Sequence, residues 1–155
     1  MENDADEIIK NLWMGAAPPR GGSVLDDGFT VIVLRAEEFQ PEANEFPGVK
    51  EVIHAGFDDT NDPPPGMFDI AEEAATLVAH YVRAGEKVLV TCMAGLNRSG
   101  LVTAWALHKL KGWPGGYCLH TVREKRKPNR RVLTPYDPAP LCNKAFQKRL
   151  QELDH

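Results

Sequence analysis

The stretch VLVTCMAGLNRSG, residues 88–100, decides how this chain is read. A short β-branched run, KVLVT (87–91), leads into a cysteine and a few small residues, and then into the apolar run SGLVTAWALHKL (99–110). The first run has the length and composition of a buried strand; the second is apolar almost all round, as a central helix is. Strand, glycine-containing loop and helix in that order build an anion site at the carboxyl end of a sheet, because loop and first-turn N–H groups converge there.

The loop lacks the Gly-Lys-Ser/Thr of a nucleotide cradle and has instead Cys92 followed six positions later by Arg98. A cysteine in a nest of N–H groups, beside a guanidinium and a helix N-terminus, is a competent nucleophile. Arg98 supplies a planar fork for two equatorial phosphoryl oxygens, and Ser99 a hydroxyl that can help the sulfur leave. The backbone of Met93, Ala94, Gly95, Leu96 and Asn97, together with Arg98, is the expected phosphate cradle.

Working outward, FTVIVL (29–34) and VKEVIHAGF (49–57) read as further strands, and LWM (12–14) as an edge strand. Between 57 and 87, MFDIAEEAATLVAHYVRAG places apolar residues at 67, 70, 74, 77, 78, 81 and 82 on one helical face, with Gly85 to close the helix. Helices are also expected over 115–126 and 141–153. The alternation predicts an α/β fold: a single domain over 1–155 with a central, mostly parallel sheet flanked by helices.

Composition narrows the function classes. The chain has 155 residues, 43% hydrophobic and 26% charged, and a net charge of −4, enough for one core and without a global pull toward nucleic acid or anionic membrane. No apolar run is long enough to span a bilayer, and the acidic start MENDADEIIK does not read as a secretory signal, so a cytoplasmic protein is expected. Three cysteines without Cys-x-x-Cys or His-rich spacing predict free thiols, no metal site and no cofactor. Cys118 and Cys142 are expected to pack in the interior. Nothing in the pattern sets the oligomeric state, for which a monomer is the default expectation.

The stretch CMAGLNRS (92–99) resembles the Cys-x5-Arg-Ser/Thr signature of the protein tyrosine phosphatase superfamily, in particular the small, atypical dual-specificity phosphatases. LWMG (12–15), GFTVIVL (28–34), VREKRKPN (122–129) and NKAF (143–146) extend the resemblance over most of the chain. It implies a cysteine phosphatase fold and a hydrolase that cleaves phosphotyrosine and/or phosphoserine/threonine through a cysteinyl phosphate. A phosphorylated protein or small phosphomonoester would be the partner. The usual His before the nucleophile is Thr91 here, and RRVLTPYDPAP (130–140) looks like an insertion.

Such chemistry needs an acid for the leaving oxygen. HAGFDDTNDPPPGM (54–67) resembles the family's acid loop; Asp59, 33 positions ahead of Cys92, fits best by register, with Asp58 and Asp62 as the other candidates. By the same resemblance Arg126 is a possible substrate-anion contact, although REKRKPNRR (123–131) also reads as a solvated basic helix end. The absence of Lys and Arg from 93–97 favours protein substrates over phosphoinositides, and RNA 5′-phosphate stays an open alternative. A phospho-ligand-binding module without catalysis is the reading from another class; it usually lacks the nucleophile, the arginine or the acid, and all three are here.

Overall fold

The computed structural model describes residues 4–16, 27–34, 49–92, 96–127 and 139–153. Its sheet has the strand order β1-β2-β5-β3-β4, formed by β1 (Ala5–Ile9), β2 (Leu12–Ala16), β3 (Val31–Leu34), β4 (Glu51–His54) and β5 (Val88–Cys92). Among the described strands only the β1–β2 pair is antiparallel; β5 pairs in parallel with β2 and β3, and β3 with β4. Among the described residues the helices are α1 (Met67–Arg83), α2 (Arg98–Lys111), α3 (Gly115–Lys125) and α4 (Lys144–Gln151).

All five residues of β5 are buried, which is what an apolar run without alternation requires of a central strand. The two-residue period sorts its side chains: Val88 and Val90 join a large core with all four helices, while Leu89 joins Phe29 and Ile32 on the opposite face. Among the described residues the helices therefore share one face of the sheet. Helix α2 lies at the centre of that layer, with residues 99–107 all buried, and ends at Gly112, whose φ of 70° is the left-handed conformation a glycine accepts without a Cβ clash.

Two expectations are corrected. The Leu12–Ala16 strand is internal, between β1 and β5; the edge belongs to β1, which the acidic composition of Asp4-Ala5-Asp6-Glu7 had concealed. Cys142 is exposed rather than packed, whereas Cys118 is buried. Among the described residues no helix is long and apolar enough to cross a membrane.

Candidate active site

Strand β5 delivers Cys92 to its carboxyl end, where the residue is 3% exposed. Just before it, the hydroxyl of Thr91 donates to the Val33 carbonyl at 3.4 Å and ties β5 to β3 at the point where the loop departs. The Cys92 thiol donates to Ser99 Oγ at 3.3 Å. When the thiol is ionised the same pair runs the other way, with the Ser99 hydroxyl donating to sulfur. Ser99 is itself buried in the first turn of α2, and Arg98, half-buried, begins that helix. Met93, Ala94 and Gly95 lie outside the described residues.

Asn97 is the N-cap residue of α2, yet its side chain makes no cap bond with its own helix. The amide nitrogen instead donates to Asp59 Oδ2 at 2.9 Å and to Cys142 Sγ at 3.6 Å. The usual occupant of the helix's first N–H groups is thus turned away, which suits a helix start that receives an anion.

Of the three candidate acids, Asp59 is the one bonded to the loop that carries Cys92 and Arg98. Its other oxygen, Oδ1, accepts from Asn143 Nδ2 at 2.7 Å. Asp58 is exposed and lines a cleft of about 320 Å³ with Phe57, Pro64, Met67 and Ile70, and Asp62 closes a small turn through its N–H to Thr60 Oγ1 at 3.1 Å.

The substrate-anion contact expected at Arg126 does not fit its position. Its side chain is fully buried and bonds Asp4 Oδ1 at 2.8 Å and Asp6 Oδ2 at 3.0 Å, so the guanidinium is committed to carboxylates of this chain. The partners lie about 120 residues away along the chain, in the segment that reads only as an acidic start.

Residues 141–143, just before α4, form a strap over the nucleophile loop. The Leu141 N–H donates to the Leu96 carbonyl at 3.2 Å, and that of Asn143 to Asn97 Oδ1 at 3.1 Å. In the sequence Asn143 has no mark of a site residue beyond its fitness to cap the helix that follows. Among the described residues no group of three His, Cys, Asp or Glu side chains could hold a metal ion.

No protein-family model and no curated protein matches the sequence. Solved structures do. Tk-PTP in its active form matches with a TM-score of 0.76 at 25% identity, over 99% of this chain and 98% of that one. Human DUSP28 gives 0.73 at 22%, covering 99% and 95%. PTPMT1 in complex with PI(5)P gives 0.72 at 17%, covering 97% and 94%. The fold is that of the protein tyrosine phosphatase superfamily. Within it the chain is similar to the small, atypical dual-specificity phosphatases, as CMAGLNRS implied.

Proposed function

We propose that the protein is a cysteine-dependent phosphatase that hydrolyses phosphotyrosine and/or phosphoserine/threonine in proteins, without metal or cofactor. The observation that carries this reading is the pairing of Cys92, at the end of the central strand, with Ser99 in the first turn of α2. In the first step the Cys92 thiolate attacks phosphorus, the S–P bond forms, the bond to the ester oxygen breaks, and that oxygen takes the proton of Asp59. The backbone of residues 93–97 and the Arg98 fork hold the equatorial oxygens as charge builds on them. In the second step water attacks the cysteinyl phosphate and gives its proton to the Asp59 carboxylate. The S–P bond breaks, and the Ser99 hydroxyl donates to the departing sulfur. A cytoplasmic setting, which keeps thiols reduced, suits this chemistry.

A second reading, phosphoinositide hydrolysis, draws support from the likeness to PTPMT1, which has been solved with PI(5)P bound. The uncharged side chains of Met93 to Asn97 weigh against a multiply phosphorylated headgroup.

The test is rapid acid quench of enzyme turning over a phosphotyrosine peptide, a phosphoserine peptide or PI(5)P, followed by peptide mapping. The expected result is a phosphate adduct on the peptide carrying Cys92, and neither adduct nor turnover in Cys92→Ser, which still binds phosphopeptide. Turnover by Cys92→Ser refutes the covalent route. Binding without turnover by the wild type establishes a phospho-ligand-binding module instead, and turnover confined to PI(5)P selects the lipid reading.

A further inference from the structure

Asn143 is 5% exposed, and both polar atoms of its side chain are used. Its Oδ1 accepts from the Phe146 N–H at 3.1 Å and so caps α4. The two hydrogens of Nδ2 go to Asp59 Oδ1 at 2.7 Å and to the Thr60 carbonyl at 2.9 Å. One side chain thus fixes the Asp59 carboxyl group, the backbone immediately after it, and the start of the C-terminal helix.

We propose that Asn143 is a positioning residue for the proton transfer at Asp59: its buried amide holds Oδ1 while the Asn97 amide holds Oδ2, and the pair fixes the plane of the carboxyl group that donates the proton. The inference rests on the reading of Asp59 as the acid and deepens it. An oxygen that faces an N–H donor must present a lone pair, and Oδ1 does so whether the carboxyl group is ionised or protonated on its other oxygen. Oδ2 faces Asn97, the residue beside Arg98, through a bond on the exposed side of the site, and a protonated Oδ2 keeps a lone pair for that amide. Fixing the carboxyl plane in this way matters to the transition state, because proton donation needs the hydrogen aimed at the leaving oxygen.

The test compares wild type, Asn143→Ser, Asp59→Asn and the double variant on p-nitrophenyl phosphate, whose leaving group needs little protonation, and on phenyl phosphate, whose leaving group needs more. Serine keeps an oxygen for the Phe146 N–H and so preserves the cap while removing the amide. Asn143→Asp, which keeps the cap oxygen and the volume, serves as the second variant should the first fail to fold. The expected result for Asn143→Ser is a loss of about 10-fold or more in kcat on phenyl phosphate, with KM unchanged and p-nitrophenyl phosphate slowed by less than about 3-fold. In the Asp59→Asn background the same substitution should add less than about 2-fold, because the group it positions is gone. Equal slowing of both substrates, or the full loss added on top of Asp59→Asn, overturns the proposal. If Asp59→Asn changes the leaving-group dependence and Asn143→Ser does not, only the role of Asn143 fails; if Asp59→Asn leaves that dependence intact, the acid assignment fails and the proposal with it.

Discussion

Replacing Arg126 by Met separates two accounts of the same residue. The guanidinium is wholly buried, with Asp4 about one-fifth exposed and Asp6 about one-tenth. Asp6 Oδ2 also accepts the Lys127 N–H at 2.7 Å, so it cannot rotate to water without breaking a second bond. Methionine matches much of the arginine's length and fills the space, which keeps the cavity penalty small and leaves the charge effect dominant. Removing one partner of a buried ion pair strands the other, at a cost of about 3–5 kcal/mol; the partial exposure of Asp4 puts this site at the lower end, about 3 kcal/mol. With a urea m-value of about 2 kcal/mol per molar, the midpoint should fall by about 1.5 M. Unfolding can be followed by the fluorescence of Trp13, Trp105 and Trp113, with kcat and KM on a phosphopeptide measured in the absence of urea. The folded variant should keep both kinetic constants, and adding Asp6→Asn should restore part of the lost stability, since it removes the stranded charge while leaving an oxygen for Lys127. An unmoved midpoint with a raised KM refutes this reasoning and returns Arg126 to the substrate.

Gly115→Ala should destabilise the protein by about 2 kcal/mol or more, because a Cβ there would sit 1.8 Å from the Leu150 carbonyl oxygen and α3 would have to move off α4; an unchanged melting temperature refutes that close approach. Glu86 accepts hydrogen bonds from Lys50 and Thr30, each at 2.6 Å, and these hold its carboxyl group below the ordinary carboxylate range while raising Lys50. A depressed folded-state carboxyl contributes stability above its unfolded value and loses it as pH falls through the folded one. The stability gap between wild type and Glu86→Gln should therefore be constant near neutrality, close in acid, and narrow with added salt because the Lys50 end of the pair is exposed; a gap that persists in acid contradicts the assignment.

What was legible in the sequence was what local pattern encodes. The unalternated VLVT run reads as a buried strand, the 99–110 run, apolar almost all round, as a central helix, and their junction places Cys92, Arg98 and Ser99 on one loop and helix start. What escaped were pairings between distant segments. Strand β1 was hidden because Asp4, just before it, and Asp6, within it, are the carboxylates that meet Arg126, and a buried carboxylate looks like a solvated one until its cation is located. Asn143 lies 84 residues from Asp59, and a helix cap with a second task has the same composition as a cap without one. In the sequence only register distinguishes Asp59 from Asp58 and Asp62; its distinguishing physical feature is that amides from two other segments meet its two oxygens.

The last glycine of the opening stretch shows how these segments depend on one another. A Cβ on Gly100 would lie 2.7 Å from Leu141 Cγ, so this glycine makes room for the strap. Leu141 has a φ of 54°, a left-handed conformation that costs a branched side chain about 1–2 kcal/mol. Such a conformation persists only where its surroundings over-determine it. Here its N–H is held by Leu96, its carbonyl accepts Gln147 Nε2 at 2.6 Å, and its side chain fills the space above Gly100. The turn so formed aims the next two residues at Asn97: Cys142 Sγ accepts its amide, and the Asn143 N–H meets its oxygen. The Asn143 amide then reaches Asp59. The geometry of the candidate acid is therefore set by three segments at once: its own loop, the loop after the nucleophile, and a strap anchored on the first turn of the central helix. A proton donor fixed this way can be displaced by a substitution at Leu141, which touches neither Cys92 nor phosphate, and a loss of activity confined to esters with poor leaving groups would then report on the acid rather than on the nucleophile.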